Sequence, residues 1–440
     1  MNYSKVLLFG QTFNDFSGGG ITLAGLFKDW PKEKLAVISY PFMIHNSTTN
    51  ICNNYYQIGE KELVWKFPFS LVKQKFPSGR VEIRNRMRVT ALKETKSLRH
   101  LISSRIFMPT LRWSGLIHRA SSIHLSTELK KFLSDFAPEV IYLQISNYES
   151  IRFSLELLSY LKIPSIIHMM DDWPSTISNS GLFKNFWEKR IDKDLRLLLD
   201  KIDMHLSISE AMSEEYKKRY GITFIPFHNP IEYQLFEIES DISGEDDNVF
   251  KILYVGRIGT ANKDSLLDFA ELVSTSESFK TRIRFDIFTK DYDSYYVQKI
   301  NKLKNVGVYE AVAHNEVPKL LKSYNLLFLP LDFSESGRKF SMFSMPTKAS
   351  EYMASGTPIL LYAPPDTAIS KFCKQHECGH CVSTQDYEEL RRSILLLSTD
   401  REYCKKIGSN AQRVAYQQFD GQIVRRMFKG MISELNRVKH

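Results

Sequence analysis

The chain has 440 residues, of which 43% are hydrophobic and 25% charged, and its formal net charge is +9. This composition excludes a disordered chain, and the length predicts two or three globular domains. No apolar run reaches the roughly 18 residues of a membrane span, and "KVLLFG" near the start is too short for a signal-peptide core, so we expect a cytoplasmic protein. The cysteines are five, an odd number at low density, which predicts reduced thiols.

Short apolar runs alternate with amphipathic segments along the first half of the chain. The runs that are typical of buried strands are "KVLLFG", "KLAVISYP", "VIYLQ", "IPSIIHMM", "MHLSIS" and "ITFIPF". Segments between them, such as "SSIHLSTELKKFLSDF", have the periodicity of amphipathic helices. This alternation predicts βαβ units and a parallel sheet.

The pattern stops in the polar, acidic segment "EYQLFEIESDISGEDDN" and then restarts. The second series of predicted strands is "FKILYVG", "IRFDIFT", "NVGVYE", "NLLFLP", "PILLYA" and "GHCVST". We therefore predict an α/β protein with two doubly wound domains. The predicted boundaries are 1–232 for the N-terminal domain, 233–249 for a linker, 250–418 for the C-terminal domain, and 419–440 for a C-terminal helix that returns to the first domain.

Ligands of doubly wound sheets bind beyond the carboxyl ends of the strands, so the residues there are the candidates. Gly18 to Gly20 follow the first strand and precede a helix. They either let backbone amides approach a phosphate or sugar, or form a tight turn. His168, Asp171 and Asp172 lie at the end of "IPSIIHMM". A histidine there is either a ligand-binding or a structural residue.

Two cations follow the first predicted strand of the second half. Arg257 comes directly after "FKILYVG", and Lys263 stands six residues later at a predicted helix start. The guanidinium fork of an arginine and the point charge of a lysine suit a diphosphate. A solvated pair is the alternative.

The stretch "SMPTKASEYMASGTPIL" predicts a helix followed by a buried strand. Pro346 suits the first turn of a helix, and Gly356 supplies its C-terminal stop. The backbone amides of Ser344 to Thr347 at this helix start would attract an anion such as phosphate. Lys348 and Glu351 either pair on a solvated face of the helix or serve that site.

Positive charge is concentrated between Lys61 and Arg119, where fourteen Lys or Arg and three Glu give a net charge of +11 against +9 for the chain. Large apolar side chains, among them Trp65, Phe67 and Phe107, are interleaved with these charges. The mixture suits an anionic membrane surface, with a solvated basic face and a nucleic-acid surface as alternatives. We predict a basic insertion at about 61–119 and peripheral binding to the inner face of the cell membrane.

Two segments have spacings found in metal sites. "CKQHECGHC", from Cys373 to Cys381, contains C-x-x-C and two histidines, but no second ligand pair follows at zinc-finger spacing. "DYD", from Asp291 to Asp293, has two carboxylates at a D-x-D spacing found in divalent-metal sites, yet an acidic helix start explains it more economically. We therefore expect neither a metal nor a cofactor.

Four segments together resemble a retaining GT-B glycosyltransferase of the fourth family, the glycosyl transferases group 1. They are "YVGRIGTANKD", "PTKASEYMASGTPIL", "LSISEAM" and "FHNPIE". The resemblance implies two Rossmann-like domains facing across a cleft, with a nucleotide-sugar donor held mainly by the C-terminal domain. It also implies a saccharide or lipid-linked saccharide acceptor on the N-terminal domain and a role in cell-envelope polysaccharide synthesis.

The resemblance further implies roles for residues of the C-terminal domain. Arg257 and Lys263 would neutralise the donor diphosphate, and Glu351 would accept hydrogen bonds from ribose hydroxyls. The amides at Ser344 to Thr347 would hold phosphate, and Lys348 is counted with the donor-binding residues.

In the N-terminal domain, the resemblance implies that Gly19 and Gly20 pack against the diphosphate or the acceptor. His168, with Asp171 nearby, would touch the transferring sugar. The expected mechanism is front-face: the acceptor hydroxyl attacks from the side that the diphosphate leaves, and a phosphate oxygen takes its proton. A sugar-nucleotide epimerase or hydrolase of the same architecture is the alternative enzyme, and a nucleic-acid-binding protein is the alternative of another class.

Overall fold

The structure is a computed structural model that describes residues 3–15, 17–67, 70, 75–83, 108–177, 181–238, 249–279, 282–291 and 294–438. The chain forms two compact units. The first consists of Met1–Ile208, Ser213–Phe227 and Arg425–His440, and the second of Ser209–Met212 and His228–Val424.

The first unit is built on a sheet of eight strands among its described residues. Along the chain they are β1 (Val6–Phe9), β2 (Leu35–Ser39), β3 (Asn54–Gln57), β5 (Gly79–Val81), β7 (Val140–Leu143), β8 (Ser165–Met169), β9 (Met204–Ser207) and β10 (Ile225–Pro226). The spatial order is β10-β9-β8-β7-β1-β2-β3-β5, and every pair is parallel except β3 with β5. The order reverses between β1 and β7, which is where doubly wound sheets bind ligands.

A separate antiparallel pair joins β4 (Leu63–Trp65) to β6 (Ser121–Ile123). The helices before residue 228 are α1 (Gly18–Leu26), α2 (Pro41–Ile44), α3 (Met108–Trp113), α4 (Ile117–Ala120), α5 (Thr127–Phe136), α6 (Tyr148–Leu161), α7 (Trp173–Thr176), α8 (Lys184–Leu199) and α9 (Glu210–Tyr220).

The core of the first unit is a parallel sheet covered by helices. Strands β1, β2, β7 and β8 are buried at every residue, as expected for strands covered on both faces. The last helix of the chain, α18 (Gly421–Val438), completes this core because Phe428 packs edge-on against Phe27 at a centroid distance of 5.0 Å and against Tyr142 at 6.0 Å. The predicted return of the C-terminal helix to the first domain is thus confirmed.

The second unit contains a six-stranded parallel sheet among its described residues. Its strands are β11 (Phe250–Val255), β12 (Ile283–Thr289), β13 (Val306–Glu310), β14 (Leu326–Pro330), β15 (Ile359–Tyr362) and β16 (His380–Val382), in the order β13-β12-β11-β14-β15-β16. The helices are α10 (Lys263–Thr275), α11 (Tyr295–Ile300), α12 (Val317–Lys322), α13 (Glu335–Ser341), α14 (Thr347–Ser355), α15 (Ala368–His376), α16 (Tyr387–Thr399) and α17 (Arg401–Phe419). The order reverses between β11 and β14, so this unit is doubly wound as well.

Both series of predicted strands are confirmed, and the predicted α/β class with them. Four strands, β3 to β6, were not predicted. Strands β4, β5 and β6 have three residues each, and most of their side chains are partly or fully exposed. The sequence "NYYQ" of β3 begins and ends with a polar residue. Such segments lack the long apolar run that marks a buried strand.

Of the predicted basic insertion, the structure describes the two ends. Phe69, Phe107 and Arg84, Arg86 and Arg88 lie outside the described residues. At the described ends Arg80 pairs with Asp135 at 2.8 Å, so part of the positive charge is compensated locally. Among the described residues no helix combines the length and the apolar character that crossing a bilayer requires.

Candidate functional site

The helix predicted from "SMPTKASEYMASGTPIL" is α14, which begins at Thr347 and ends at Gly356 in the left-handed conformation (φ 74°). Its inner face is formed by Ala349, Tyr352 and Met353, each at most 1% exposed. The predicted helix start, stop and buried face are therefore confirmed.

The start of α14 offers backbone amides beyond the end of β14. Pro346 has no amide hydrogen, and the Ser344 amide donates to the carbonyl of Ser341 at 3.2 Å. Of the four residues predicted to supply amides, this leaves Met345 and Thr347, with Lys348 next in the helix. The helix dipole adds a partial positive charge at this position.

Lys348 reaches from α14 to the end of β11. Its Nζ donates a hydrogen bond to the hydroxyl of Tyr254 at 2.6 Å and lies 4.0 Å from the centre of the Tyr254 ring. Gly256, the residue after β11, has a φ of +144°, and a Cβ there would lie 2.7 Å from this Nζ. Only glycine combines that backbone conformation with room for the ammonium group.

The Tyr254 hydroxyl is the centre of a buried network that fixes the turn after β11. It donates to the carbonyl of Arg257 at 2.5 Å and accepts from the Asn262 amide at 2.6 Å. The Asn262 side chain also donates to the Arg257 carbonyl at 3.1 Å and accepts from the amide of Gly259 at 3.0 Å. Sequence reasoning missed Tyr254, Gly256 and Asn262 as functional residues, although all three lie within "YVGRIGTANKD".

Arg257 is two-thirds exposed, at 66% of its side chain, and its guanidinium pairs with Asp291 at 3.1 Å. Asp291 also accepts from the amide of Ile258 at 2.9 Å. The first aspartate of "DYD" therefore orients the Arg257 turn, whereas Tyr292 and Asp293 lie outside the described residues.

Lys263 is the first residue of α10. Its Nζ lies 2.6 Å from both carboxylate oxygens of Asp264 and 5.1 Å from the centre of the Tyr296 ring. The Asp264 carboxylate raises the pKa of Lys263, which keeps this ammonium charged.

The start of α10 differs from that of α14 because a carboxylate already occupies it. Asp332, fully buried after β14, accepts from the amides of Ser265 at 2.8 Å and Asp264 at 3.3 Å. Burial raises the pKa of Asp332. The first amides of α10 are thus already bonded within the fold, a distinction that the sequence does not make.

Burial perturbs the two charged residues of α14 in opposite directions. It lowers the pKa of Lys348 to about 7, against the opposing effect of Glu351. Burial also raises the pKa of Glu351, whose side chain is 21% exposed, while His314 at 3.6 Å and Lys348 oppose that rise. Both shifts mean that the second unit holds partly desolvated charges, which is typical of functional sites.

In the first unit, His168 lies inside β8 and is fully buried, with its Nδ1 2.5 Å from the Tyr142 hydroxyl. Asp171 follows the strand and is exposed. Its neighbour Asp172 is buried and accepts from Arg219 at 2.8 Å, which gives Asp172 a structural role.

Gly19 and Gly20 form the first turn of α1, at the carboxyl end of β1. The Ser17 hydroxyl caps this turn by accepting from the Gly20 amide at 3.2 Å. A Cβ on Gly20 would lie 2.1 Å from the side-chain nitrogen of Asn14, and that side chain accepts from the Ser17 amide and hydroxyl. Glycine is therefore required for the helix to approach the loop after β1.

The structure thus brings the Arg257 carbonyl and Lys348 together through the Tyr254 hydroxyl. Glu351 lies on α14 with Lys348, and Lys263 lies at the start of α10. His168, Asp171, Gly19 and Gly20 belong to the first unit.

Within the described ranges no group of three or more metal-ligating side chains is present. In the Cys373–Cys381 segment, the two ring nitrogens of His380 lie 3.1 Å from the Tyr403 hydroxyl and 3.0 Å from the Ser393 hydroxyl. That histidine is therefore held by hydrogen bonds within the fold.

Comparison with known proteins agrees with this architecture. Residues 236–414 match the family model described as glycosyl transferases group 1. A search of curated proteins finds no match to the chain.

Solved structures match nearly the whole chain. HepE (Alr3699) of Anabaena, in complex with UDP and glucose, has a TM-score of 0.63 at 14% identity and covers 98% of this chain and 100% of its own. Sucrose-phosphate synthase of Thermosynechococcus elongatus has a TM-score of 0.64 at 13% identity, covering 98% and 99%. A glycosyltransferase of Rickettsia africae has a TM-score of 0.59 at 10% identity, covering 99% of each chain.

These likenesses show the fold, which is GT-B, as predicted. The match to the glycosyl transferases group 1 covers residues 236–414, less than half of the chain, and these residues lie within the second unit.

Proposed function

We propose that the second unit binds the diphosphate of a nucleotide sugar, and that the enzyme transfers the sugar with retention to a saccharide or lipid-linked saccharide acceptor. One observation carries the donor part of the proposal. The Lys348 ammonium, the Arg257 turn and the start of α14 meet through the Tyr254 hydroxyl at the switch point of the sheet. Two fixed cations and a helix N-terminus are what a diphosphate requires.

Each residue of this cluster has a distinct task in the proposal. Arg257, which is largely exposed, provides a bidentate guanidinium fork. Lys263 provides a second positive charge, and its ammonium then contacts both Asp264 and the donor phosphate. The amides of Met345 and Thr347 hold phosphate oxygens. Glu351 accepts hydrogen bonds from the ribose hydroxyls, which only the ionised carboxylate does with both oxygens.

The reaction follows from the charge that the donor phosphate acquires as it leaves. The acceptor oxygen forms a bond to the anomeric carbon on the face from which the diphosphate oxygen departs, and configuration is retained. The acceptor proton passes to a phosphate oxygen. Arg257 and Lys263 stabilise the negative charge that develops on the leaving group, so neither a protein base nor a metal is required.

The first unit contributes the remaining residues. We assign Asp171 and the amide of Gly19 to the binding of sugar groups at the carboxyl ends of β8 and β1. His168 is fully buried against Tyr142, and the Gly20 amide donates to Ser17, so both are held within the fold. The HepE structure contains UDP and glucose, and this supports a uridine diphosphate sugar as the donor of the present enzyme.

The proposed location is the inner face of the cell membrane, in cell-envelope polysaccharide synthesis. The net charge of +11 between Lys61 and Arg119 supports peripheral binding to anionic lipid. At the described ends of this segment, Phe67 is 80% exposed and Trp113 is 56% exposed.

Calorimetric titration with UDP, GDP and ADP, each in the presence of a chelator, tests the donor site. We expect one nucleoside diphosphate to bind and Arg257→Ala to weaken it about tenfold or more, since a charge-assisted contact contributes about 1.5 to 3 kcal/mol. Lys371→Ala, on the exposed face of α15, is the matched control. The proposal fails if no nucleoside diphosphate binds. Analysis of products from the matching nucleotide sugar then separates transfer from epimerisation or simple hydrolysis.

A further inference from the structure

A second polar site lies in the first unit. It is an open pocket with about 390 Å³ of empty space, part of it open to solvent. Six residues line it: Arg119, Tyr148, Arg152, Phe186, Trp187 and Arg190. Tyr148 opens α6 directly after β7, so the pocket is near the carboxyl edge of the sheet, where doubly wound folds bind ligands.

The charge of the pocket is positive after its internal ion pairs are counted. Arg190 lies 3.4 Å from Asp194, which also accepts from the Tyr148 hydroxyl at 2.6 Å, so its charge is compensated. Arg119 and Arg152 are exposed, and neither forms an ion pair with a described residue. Two guanidinium groups are therefore available to an anion.

Acidic side chains near the pocket reduce this charge only in part. Glu149 and Glu156 line an adjoining recess that shares Tyr148 and Arg152 with the pocket. Glu156 lies 3.3 Å from His124 and accepts from the amide of Leu125 at 3.0 Å. Its carboxylate is thus engaged with His124 and the Leu125 amide.

The floor of the pocket is aromatic and rigid. Trp187 is 5% exposed and packs edge-on against Tyr148 at a centroid distance of 5.8 Å and against Phe186 at 5.3 Å. His118 lies 5.0 Å from the Trp187 ring. Because Trp187 and Tyr148 are buried and packed against each other, the guanidinium groups border a recess with an aromatic floor.

Beside the pocket is an apolar rim, the exposed side chains at the α3–α4 turn and the start of α8. Its members are at least 48% exposed: Trp113, Leu116, Leu182, Phe183 and Phe186. The two segments are joined because the Leu182 amide donates to the Trp113 carbonyl at 2.9 Å. An exposed group of large apolar side chains bordered by arginines is typical of surfaces that enter a lipid interface.

We infer that this pocket binds a phosphoryl group of the acceptor, and that the apolar rim receives the lipid that carries this group. Arginine is suited to the phosphoryl group because its planar fork donates two parallel hydrogen bonds. Only the identification of the ligand as the acceptor rests on the proposed function. The anion-binding pocket itself rests on Arg119, Arg152 and their surroundings.

The experiment uses the full chain and two kinds of probe. The first is flotation with phosphatidylcholine vesicles that contain phosphatidic acid, compared with vesicles in which phosphatidylserine supplies an equal surface charge. The second is calorimetric titration with glucose 1-phosphate. The variants are the double change Arg119→Gln with Arg152→Gln, the rim change Phe183→Ser, and the matched control Lys131→Gln, an exposed lysine on α5 of the same unit.

We expect the protein to bind vesicles with phosphatidic acid more strongly than vesicles with phosphatidylserine. The affinity for phosphatidic acid vesicles should fall at least tenfold in the double variant and in Phe183→Ser, and should not change in Lys131→Gln. Binding of glucose 1-phosphate that is lost in the double variant but kept in Phe183→Ser supports the pocket and assigns it a soluble phosphate. The inference is overturned if neither probe binds, or if the double variant behaves like Lys131→Gln.

Titration of the same variants with the nucleoside diphosphates separates this result from the proposed function. We expect the double variant to bind nucleoside diphosphate as the wild type does, because Arg119 and Arg152 belong to the first unit and the donor residues to the second. If the wild type binds phosphatidic acid but no nucleoside diphosphate, the donor proposal fails and the phosphoryl pocket stands.

Discussion

Replacing Lys348 by methionine should make the protein more stable and less able to bind its donor. The lysine lies in a partly desolvated position, where its pKa falls from 10.5 to about 7. At about 1.4 kcal/mol per pKa unit, this difference corresponds to at most about 5 kcal/mol of unfavourable free energy for the charged form. Since the side chain is only partly buried, we expect screening to leave about 1 to 3 kcal/mol.

Methionine has nearly the same length and no charge, so it removes this cost without leaving a buried donor unpaired. The Tyr254 hydroxyl keeps its hydrogen bonds to Asn262 and the Arg257 carbonyl. The free energy of unfolding should therefore rise by about 1 to 3 kcal/mol. At the same time the affinity for the nucleoside diphosphate should fall by about ten- to a hundredfold, because a charge-assisted contact is lost.

The sign of the pH dependence gives a second check on the same variant. Between about pH 7 and pH 10.5 the unfolded chain binds a proton at Lys348 that the folded chain does not, so the stability of the wild type rises with pH. The advantage of Lys348→Met is thus largest at pH 7 and below, and it shrinks toward pH 9. Urea unfolding at three pH values measures it, with Lys371→Met on the exposed face of α15 as the control. A destabilised Lys348→Met protein with normal nucleotide affinity would refute the reasoning.

Three further predictions concern the donor site. Lys263→Ala and Glu351→Ala should each reduce transfer by about ten- to a hundredfold with the fold intact, as judged by initial rates and circular dichroism, while Lys371→Ala retains full activity. Transfer should persist in excess chelator; loss of activity that manganese restores would instead assign a metal to Asp291. Nucleotide affinity should fall by up to about tenfold per pH unit as the pH rises above about 7, because a diphosphate favours the charged form of Lys348. Lys348→Met should remove this pH dependence, and an unchanged slope in the variant would contradict the prediction.

Tyr254 and Glu351 are the groups to be considered beside Lys348 in that pH dependence. The pKa of Tyr254 is raised far above its ordinary value by burial, so its hydroxyl stays protonated throughout the range. Glu351 contributes at the acidic end, where burial raises its pKa. Repeating the titration with Glu351→Gln separates its effect from that of Lys348.

The alternation of apolar runs and helical periodicity determined the fold class. Runs such as "VIYLQ" and "NLLFLP" are long enough and apolar enough that only a strand buried on both faces accommodates them, and they became β7 and β14. Pro346 and Gly356 likewise set the bounds of α14 through backbone conformation alone. These are local properties, so a sequence contains them in full.

The tertiary structure alone decided which side chains meet. Nothing in the chain near Lys348 indicates that its ammonium contacts Tyr254, 94 residues away, because that contact depends on how α14 packs beside β11. The same holds for Asp332, which occupies the start of α10 and so leaves the start of α14 for an anion.

The phosphoryl pocket gives a second example of a site that the sequence alone does not reveal. Its arginines are Arg119, Arg152 and Arg190. The sequence displays only the density of positive charge, whereas their convergence on Trp187 requires α4, α6 and α8 to pack together. Periodicity and backbone preferences act over a few residues, and they determine the elements. Desolvation and hydrogen bonding act between residues far apart in the chain, and they become defined only once those elements have packed.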